Sequence, residues 1–202
     1  MIKVDCEQMS DEWFSLRCGI PTASSFDKIF TTTGKPSTQS EAYMNTLLAE
    51  WLTGEKQSIK QSECMTRGIE LEDEARSAYE FVTDSDVETT GIVFKDEDKL
   101  VSCSPDGLLD TKGLEIKCPA PGTHVGYLMQ GGIPTTYIQQ VQGSMWVTGL
   151  DEWDFVSYCP GIKPVIITVE KDENLHIAID EIMNKFLLDM QNKRIKLKEM
   201  SA

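Results

Sequence analysis

Ser104-Pro105-Asp106-Gly107, followed a short turn later by Gly113-Leu114-Glu115-Ile116-Lys117-Cys118, is the stretch on which the fold turns. Leu100 to Ser104 and Leu114 to Cys118 are short runs that read as strands. Side chains alternate faces along a strand, so Glu115 and Lys117 point one way while Leu114, Ile116 and Cys118 point the other. A hairpin through Leu108 to Lys112 then brings Asp106, at the end of the first strand, level with Glu115 on its neighbour. Two carboxylates and one ammonium converge on one face. The apolar set behind them marks Leu114 to Cys118 as a central strand, where a charged face needs a purpose.

Three further strands are expected at Val87 to Phe94, Phe155 to Cys159 and Val165 to Val169. Upstream, Ser10 caps a short helix through Leu16 that ends at Gly19, and Thr22-Ala23-Ser24-Ser25 starts another that carries Phe26, Ile29 and Phe30 inward. Tyr43, Leu47, Leu48 and Trp51 recur at helical spacing between Ser40 and Leu52, after an exposed, mobile loop from Thr31 to Ser40. Helices are also expected over Thr66 to Val82, Thr135 to Val147 and Asp172 to Lys198. Strands in consecutive runs with helices between them predict a mixed sheet of about five strands flanked by helices, between the α/β and α+β classes. No repeat, low-complexity tract or linker divides the chain, and 202 residues suit one domain over 1–202.

No apolar run approaches the roughly 20 residues of a membrane span, and the start lacks a secretory pattern, so a cytoplasmic protein without membrane partners is expected. The six cysteines, at 6, 18, 64, 103, 118 and 159, are scattered singly and read as buried small side chains. A net charge of −14 argues at first against a polyanionic partner. Its distribution weakens that objection: Glu63 to Asp98 holds twelve acidic residues against three basic ones, while Arg17 to Gln39 holds Arg17, Lys28 and Lys35 against Asp27 alone.

The trio Asp106, Glu115 and Lys117 suits phosphodiester hydrolysis. Carboxylate oxygens bind magnesium, which activates water and stabilises the leaving oxygen, and an ammonium beside them orients the attacking water or neutralises charge on the phosphorane. The sequence has no Gly-x-Ser-x-Gly turn, and His124 and His176 form no ligand-spaced pair. The pattern alone leaves open a bland reading: Asp106 as a turn residue, with Glu115 and Lys117 as solvated charges.

Pro105, Asp106, Glu115 and Lys117 resemble the loose signature of the PD-(D/E)XK nuclease superfamily. More specific are Arg17 with Gly19 and Thr22-Ala23-Ser24; Glu72-Asp73-Glu74-Ala75-Arg76; Cys103 to Leu108; Gly113 to Pro119; and Gln140-Val141-Gln142 with Ser144 to Thr148. In this order they resemble the family of phage lambda exonuclease and the YqaJ-like viral recombinase nucleases, over nearly the whole chain from about Arg17. The resemblance implies a restriction-endonuclease-like sheet and a Mg2+ site, with Mn2+ as a substitute. Asp106, Glu115, the Ile116 carbonyl and Glu72 would be the metal ligands, Lys117 the catalytic lysine, and Gln140 a neighbour of the metal. By its own spacing Glu72 sits at the edge of the apolar stripe, next to Ala75 and Tyr79, where it can point into a half-buried site; the competing reading is an exposed i,i+4 partner of Arg76.

In the same family Arg17 and Ser24 would hold the 5′-terminal phosphate. The chemistry agrees, since a guanidinium grips phosphate bidentately and a helix start offers free N–H groups. The implied activity is 5′→3′ degradation of one strand of duplex DNA to mononucleotides. A homotrimeric ring would encircle the DNA and hand the remaining 3′ strand to a single-strand annealing protein. Lys28, Lys35, Lys56, Lys60 and Arg67 are candidates for a basic channel lining, whereas the terminal Lys193, Arg194, Lys196 and Lys198 read as complementing the negative end of a helix. Two alternatives remain: an endonuclease of the same fold, and a catalytically silent DNA-binding protein. An ionised site with an activated water predicts an alkaline optimum.

Overall fold

The computed structural model describes residues 1–56 and 63–201. Among the described residues, seven strands form two sheets. The first holds β1 (Ile2–Val4), β2 (Ile92–Phe94) and β3 (Ser102–Cys103), antiparallel in that order. The second holds β4 (Gly107–Leu108), β5 (Lys112–Lys117), β6 (Glu152–Ser157) and β7 (Val165–Glu170), with β5 and β6 parallel and the other pairs antiparallel. The five expected strands are all present, but they do not form one sheet. Pro105 brings no N–H to a ladder, and between β3 and β4 the chain leaves one sheet and enters the other. The partner of β5 in the hairpin is therefore β4, not the run from Leu100 to Ser104, and the turn is tightened to Leu109–Lys112, where the Leu109 N–H donates to the Lys112 carbonyl at 2.8 Å.

The helices are α1 (Asp11–Leu16), α2 (Ser40–Thr53), α3 (Glu63–Thr83), α4 (Pro121–Gln130), α5 (Ile138–Thr148) and α6 (Glu173–Ser201). Ser10 caps α1 by accepting from the Trp13 N–H, and Gly54 ends α2 in a left-handed conformation. The expected helix after Thr22 is a kinked 3-10 segment, Ala23–Lys28, that nevertheless buries Phe26, Ile29 and Phe30 completely. A parallel pair such as β5 and β6 needs a crossover, and α4 and α5 supply it. The loop from Thr31 to Ser40 is exposed but hydrogen-bonded, with Thr31 N–H to Lys35 O at 2.8 Å and Ser37 N–H to Ile29 O at 2.8 Å.

α5 runs through the largest core, where Val141 and Met145 pack among Phe26, Leu47, Trp153 and Met183. A Cβ at Gly143 would collide with the Phe26 ring, so this close approach requires glycine. A second core joins α3 to the sheet through Ala75, Tyr79, Leu114, Ile116 and Val156. β5 is thus covered on both faces, its apolar side by α3 and its charged side towards α5. Of the cysteines, Cys103, Cys118 and Cys159 are buried as expected, Cys6 and Cys18 are only half-buried, and the Cys64 side chain lies outside the described residues. No helix among the described residues is long and apolar enough to cross a membrane.

Candidate active site

The β4–β5 register pairs Gly107 with Leu114, so Asp106 falls opposite Glu115, as expected of a hairpin here. Asp106 N–H donates to the Leu114 carbonyl at 3.1 Å, and Asp106 Oδ2 accepts from the Ile116 N–H at 2.6 Å. The Asp106 carboxylate is therefore fixed at the edge of β5, against the peptide of Ile116. Glu115 is 2% exposed, and its Oε1 accepts from both Lys117 Nζ and Gln140 Nε2, the latter at 2.6 Å. Gln140 projects from the first turn of α5, which is how a residue on a separate helix enters the group. Lys117 Nζ also lies 5.4 Å from the centre of the Tyr137 ring.

Glu72 comes from α3. Its Oε1 accepts from Arg76 Nη2 at 2.6 Å, the i,i+4 pair legible in the sequence, but the same guanidinium donates through Nε to the Asp106 carbonyl at 3.1 Å. Arg76 thereby ties Glu72 to the strand that carries Asp106. Burial pushes Glu115 up to about 7, against Lys117 and with help from Asp106. Glu72 is also pushed up to about 7, by burial and then by the charge of Asp106, with Arg76 opposing. Asp106 is raised by burial, with Lys117 and the Ile116 N–H opposing. Burial acts to lower Lys117, but Glu115 and Asp106 outweigh it and hold the ammonium well above its ordinary value.

Among the described residues no three His, Cys, Asp or Glu side chains form a ready-made metal cage. The carboxylates are instead held by the nearest donors: Asp106 by an amide, Glu115 by Lys117 and Gln140, and Glu72 by Arg76. Asp106 raises both Glu115 and Glu72, and when ionised the three carboxylates outnumber the two cations, Lys117 and Arg76, that bond to Glu115 and Glu72. That donor set, all hard oxygen, fits a divalent cation. A groove of about 520 Å3 opens beside it, lined by Gln8, Glu72, Arg76 and Asp106 among others, whereas a slightly larger hollow of about 610 Å3 near Lys3 and Lys112 includes no site residue.

Arg17, 8% exposed, lies with its guanidinium 3.9 Å from the Trp13 ring centre. Nη1 donates to Ser104 Oγ at 2.9 Å, and Nη2 to Thr22 Oγ1 at 3.1 Å and to Ser24 Oγ at 3.3 Å. Its Nε is buried without a partner, and burial brings the guanidinium down to about 10. Arg17 and exposed Ser24 are thus together, joined by two hydroxyls, Thr22 and Ser104, to which the sequence assigned no role although both lie in the quoted motifs.

Lys28 and Lys35 do not join this group. Lys28 Nζ is 5.2 Å from the Tyr43 ring centre, and Lys35 is exposed in the loop before α2. Lys56 bonds to Glu50 and to the Arg17 carbonyl, Arg67 Nη2 donates to Cys159 Sγ at 3.7 Å, and Lys60 lies outside the described residues. Gln8 escaped the sequence reading as well. Its Nε2 donates to the Pro105 and Thr90 carbonyls at 2.9 and 3.1 Å, supporting the strand before Asp106, and no local pattern marks it.

Glu115 on β5 is bonded to Lys117, Asp106 lies opposite it just before β4, and α3 brings Glu72 beside them through Arg76; the chain is a nuclease. Residues 12–151 match the YqaJ-like viral recombinase domain family, and the chain belongs to that family. The alkaline exonuclease LHK-Exo from Laribacter hongkongensis superimposes with a TM-score of 0.84 at 31% identity, over 95% of this chain and 98% of that one. The same enzyme in complex with dAMP superimposes with a TM-score of 0.83 at 31% identity, again over 95% and 98%. A phage-related exonuclease from Haemophilus somnus 129PT shares the fold with a TM-score of 0.69 at 15% identity, over 91% of this chain and 96% of that one. ExoD of Escherichia coli (strain K12) is 36% identical over 61 residues, which are 29% of this chain and 70% of that protein.

Proposed function

We propose that this chain, as one nuclease domain, is a 5′→3′ exonuclease that uses Mg2+, or Mn2+ in its place, to degrade one strand of duplex DNA from a 5′-phosphorylated end. The observation that carries the reading is the bond from Arg17 to Ser104, two residues before Asp106. Two residues of chain span at most about 7 Å. A terminal phosphate held by Arg17, Ser24, Thr22 and Ser104 would therefore place the next phosphate of the strand beside Asp106 and Glu115, one nucleotide inward. That spacing favours release of mononucleotides, and LHK-Exo has been seen in complex with a mononucleotide, dAMP.

The reaction follows from the residues. The oxygen of water attacks the second phosphate, and the bond to the 3′-oxygen of the terminal nucleotide breaks. Glu115, held by Gln140 and Lys117, and Asp106, held by Ile116, keep their oxygens in place. Lys117 remains protonated at neutral and alkaline pH because its carboxylate neighbours outweigh burial, so it acts as a cation on the developing phosphorane rather than as a base. Asp106, Glu115, the Ile116 carbonyl and Glu72 would hold a divalent cation, which would supply water activation and stabilisation of the leaving oxygen. The new strand end carries a 5′-phosphate and re-enters the Arg17 pocket, so each cut regenerates the substrate.

A homotrimeric ring around the duplex, a single-strand annealing protein as recipient of the 3′ strand, and action in the cytoplasm of a phage's bacterial host complete the proposal. The test is release of nucleotides, in magnesium, from linear duplex ending in 5′-phosphate or 5′-hydroxyl, beside a closed circle. Rapid loss of the phosphorylated linear substrate alone is expected; cutting of the circle would move the assignment to an endonuclease of this fold.

A further inference from the structure

The side chain of Arg17 bonds to neutral hydroxyls, so its aim depends on the backbone that presents it. That backbone is a turn after α1, and charged groups hold it from two directions. Gly19, in a left-handed conformation with φ of +74°, is pressed against α2, where a Cβ would come within 2.8 Å of Trp51 Cβ. Its N–H donates to Glu50 Oε2 at 3.1 Å. Its carbonyl accepts from Arg194 Nη2 at 2.5 Å, across 175 residues of sequence. Lys56 Nζ closes the cluster, donating to the Arg17 carbonyl at 3.4 Å and to Glu50 Oε2 at 3.3 Å.

Neither charge is where its own helix would put it. Glu50 is 4% exposed on α2, and carboxylates are rarely buried so deeply unless they are paired. The sequence reading assigned Arg194 to the negative end of the last helix, but α6 continues to Ser201, about two turns further. Arg194 instead turns towards Gly19, with its guanidinium 5.4 Å from the Trp51 ring centre. We infer that Arg194 and Glu50 are positioning residues for the Arg17 grip on a 5′-terminal phosphate, fixing the Arg17–Gly19 turn from its carbonyl and its amide sides. The inference rests on the reading of the Arg17 pocket as the phosphate seat.

The experiment compares kcat/KM on one linear duplex ending in 5′-phosphate with that on the same duplex ending in 5′-hydroxyl. It is run for the full-length protein and for Arg194→Ala, Arg194→Lys, Glu50→Gln and Arg17→Ala, each with its Tm. Arg194→Ala is expected to lower the phosphate-to-hydroxyl ratio roughly tenfold or more, because a small misplacement of a binding group is costly. Hydrolysis of hydroxyl ends should change far less. Arg194→Lys, which keeps a cationic donor, and Glu50→Gln, which keeps an acceptor for Gly19, should retain most of the ratio. A purely structural tie would lower Tm and both rates together. If Arg17→Ala collapses the ratio while Arg194→Ala leaves it intact, the positioning role is overturned and the pocket stands. If Arg17→Ala leaves the ratio intact, the pocket reading itself falls and the inference with it.

Discussion

Arg76 joins two elements of the site at once, holding Glu72 on its own helix and, through Nε, the main-chain oxygen of Asp106 at 3.1 Å. A guanidinium makes this bridge because its donors point in fixed, divergent directions, which a lysine ammonium does not reproduce. Arg76→Ala frees Glu72 and one side of Asp106, and Arg76→Lys restores the charge without the bridge. Both variants are expected to lose about 10- to 100-fold in kcat/KM, with Arg76→Lys recovering little. Steady-state kinetics at saturating Mg2+ is the measurement. A loss under twofold would reduce Arg76 to an ordinary helix ion pair.

The stabilisation conferred by Mg2+ should grow with pH in a defined window. Glu72 and Glu115 are raised to about 7 when folded, so between their ordinary values near 4.5 and about 7 the folded chain holds more protons than the unfolded one. Their contribution to stability is therefore complete below the ordinary carboxylate value and is lost as the pH rises through 7. Above that pH both are ionised, and a divalent cation offsets their repulsion. At a Mg2+ concentration 100-fold over Kd, Tm is expected to rise by about 5–10 °C at pH 8 and much less at pH 5.5. Hydrolysis should rise over the same interval. An equal shift in Tm at both pH values would contradict the assignment of these carboxyls to the metal.

β5 and its neighbour Asp106 were legible because two short-range rules govern them. Alternation along β5 sets Glu115 and Lys117 together, and the Asp-Gly step beside a tight turn sets Asp106 opposite. Pairing partners were less legible: the split into two sheets occurs at Pro105, and which strand β3 joins is decided by contacts with β2. α4 was not expected, since Gly122 and Gly126 are poor helix formers, yet Pro121 to Gln130 is helical with Gly131 as its left-handed cap. Gln140 had no pattern of its own and was found through family likeness. The second bond of Arg76 and the grasp of Arg194 on Gly19 could not be read at all, since each depends on residues 30 and 175 positions apart meeting in space.

The helix that carries Glu72 is anchored by a buried polar group. Tyr79 Oη donates to Asp154 Oδ2 at 2.6 Å, and Thr168 and Lys112 also bond to this carboxylate, which is 1% exposed. Tyr79→Phe removes one of the donors without changing the ring packing. A loss of about 1–3 kcal/mol is expected, or roughly 2–12 °C in Tm, with kcat at 25 °C close to that of the unmodified enzyme. Thermal unfolding followed by circular dichroism reads it. A large fall in kcat with no change in Tm would mean that Tyr79 acts on the site and not on the docking of α3.

Gln140 and Lys117 share a single oxygen of Glu115, so the two donors set the direction of the carboxylate, and on the proposed function its other oxygen would face the metal. Gln140→Ala removes the neutral donor and lets the carboxylate turn towards Lys117 alone. A drop of about 10- to 100-fold in kcat/KM is expected, accompanied by a higher Mg2+ concentration for half-maximal rate. Gln140→Glu is the sharper probe. It keeps the shape but places a fourth carboxyl against Glu115 Oε1, where like charges within hydrogen-bond reach cannot both ionise cheaply. The rise of activity with pH should then move to higher pH, and the Mg2+ requirement should change with it. If Gln140→Glu alters neither the pH profile nor the metal requirement, Gln140 does not act through Glu115.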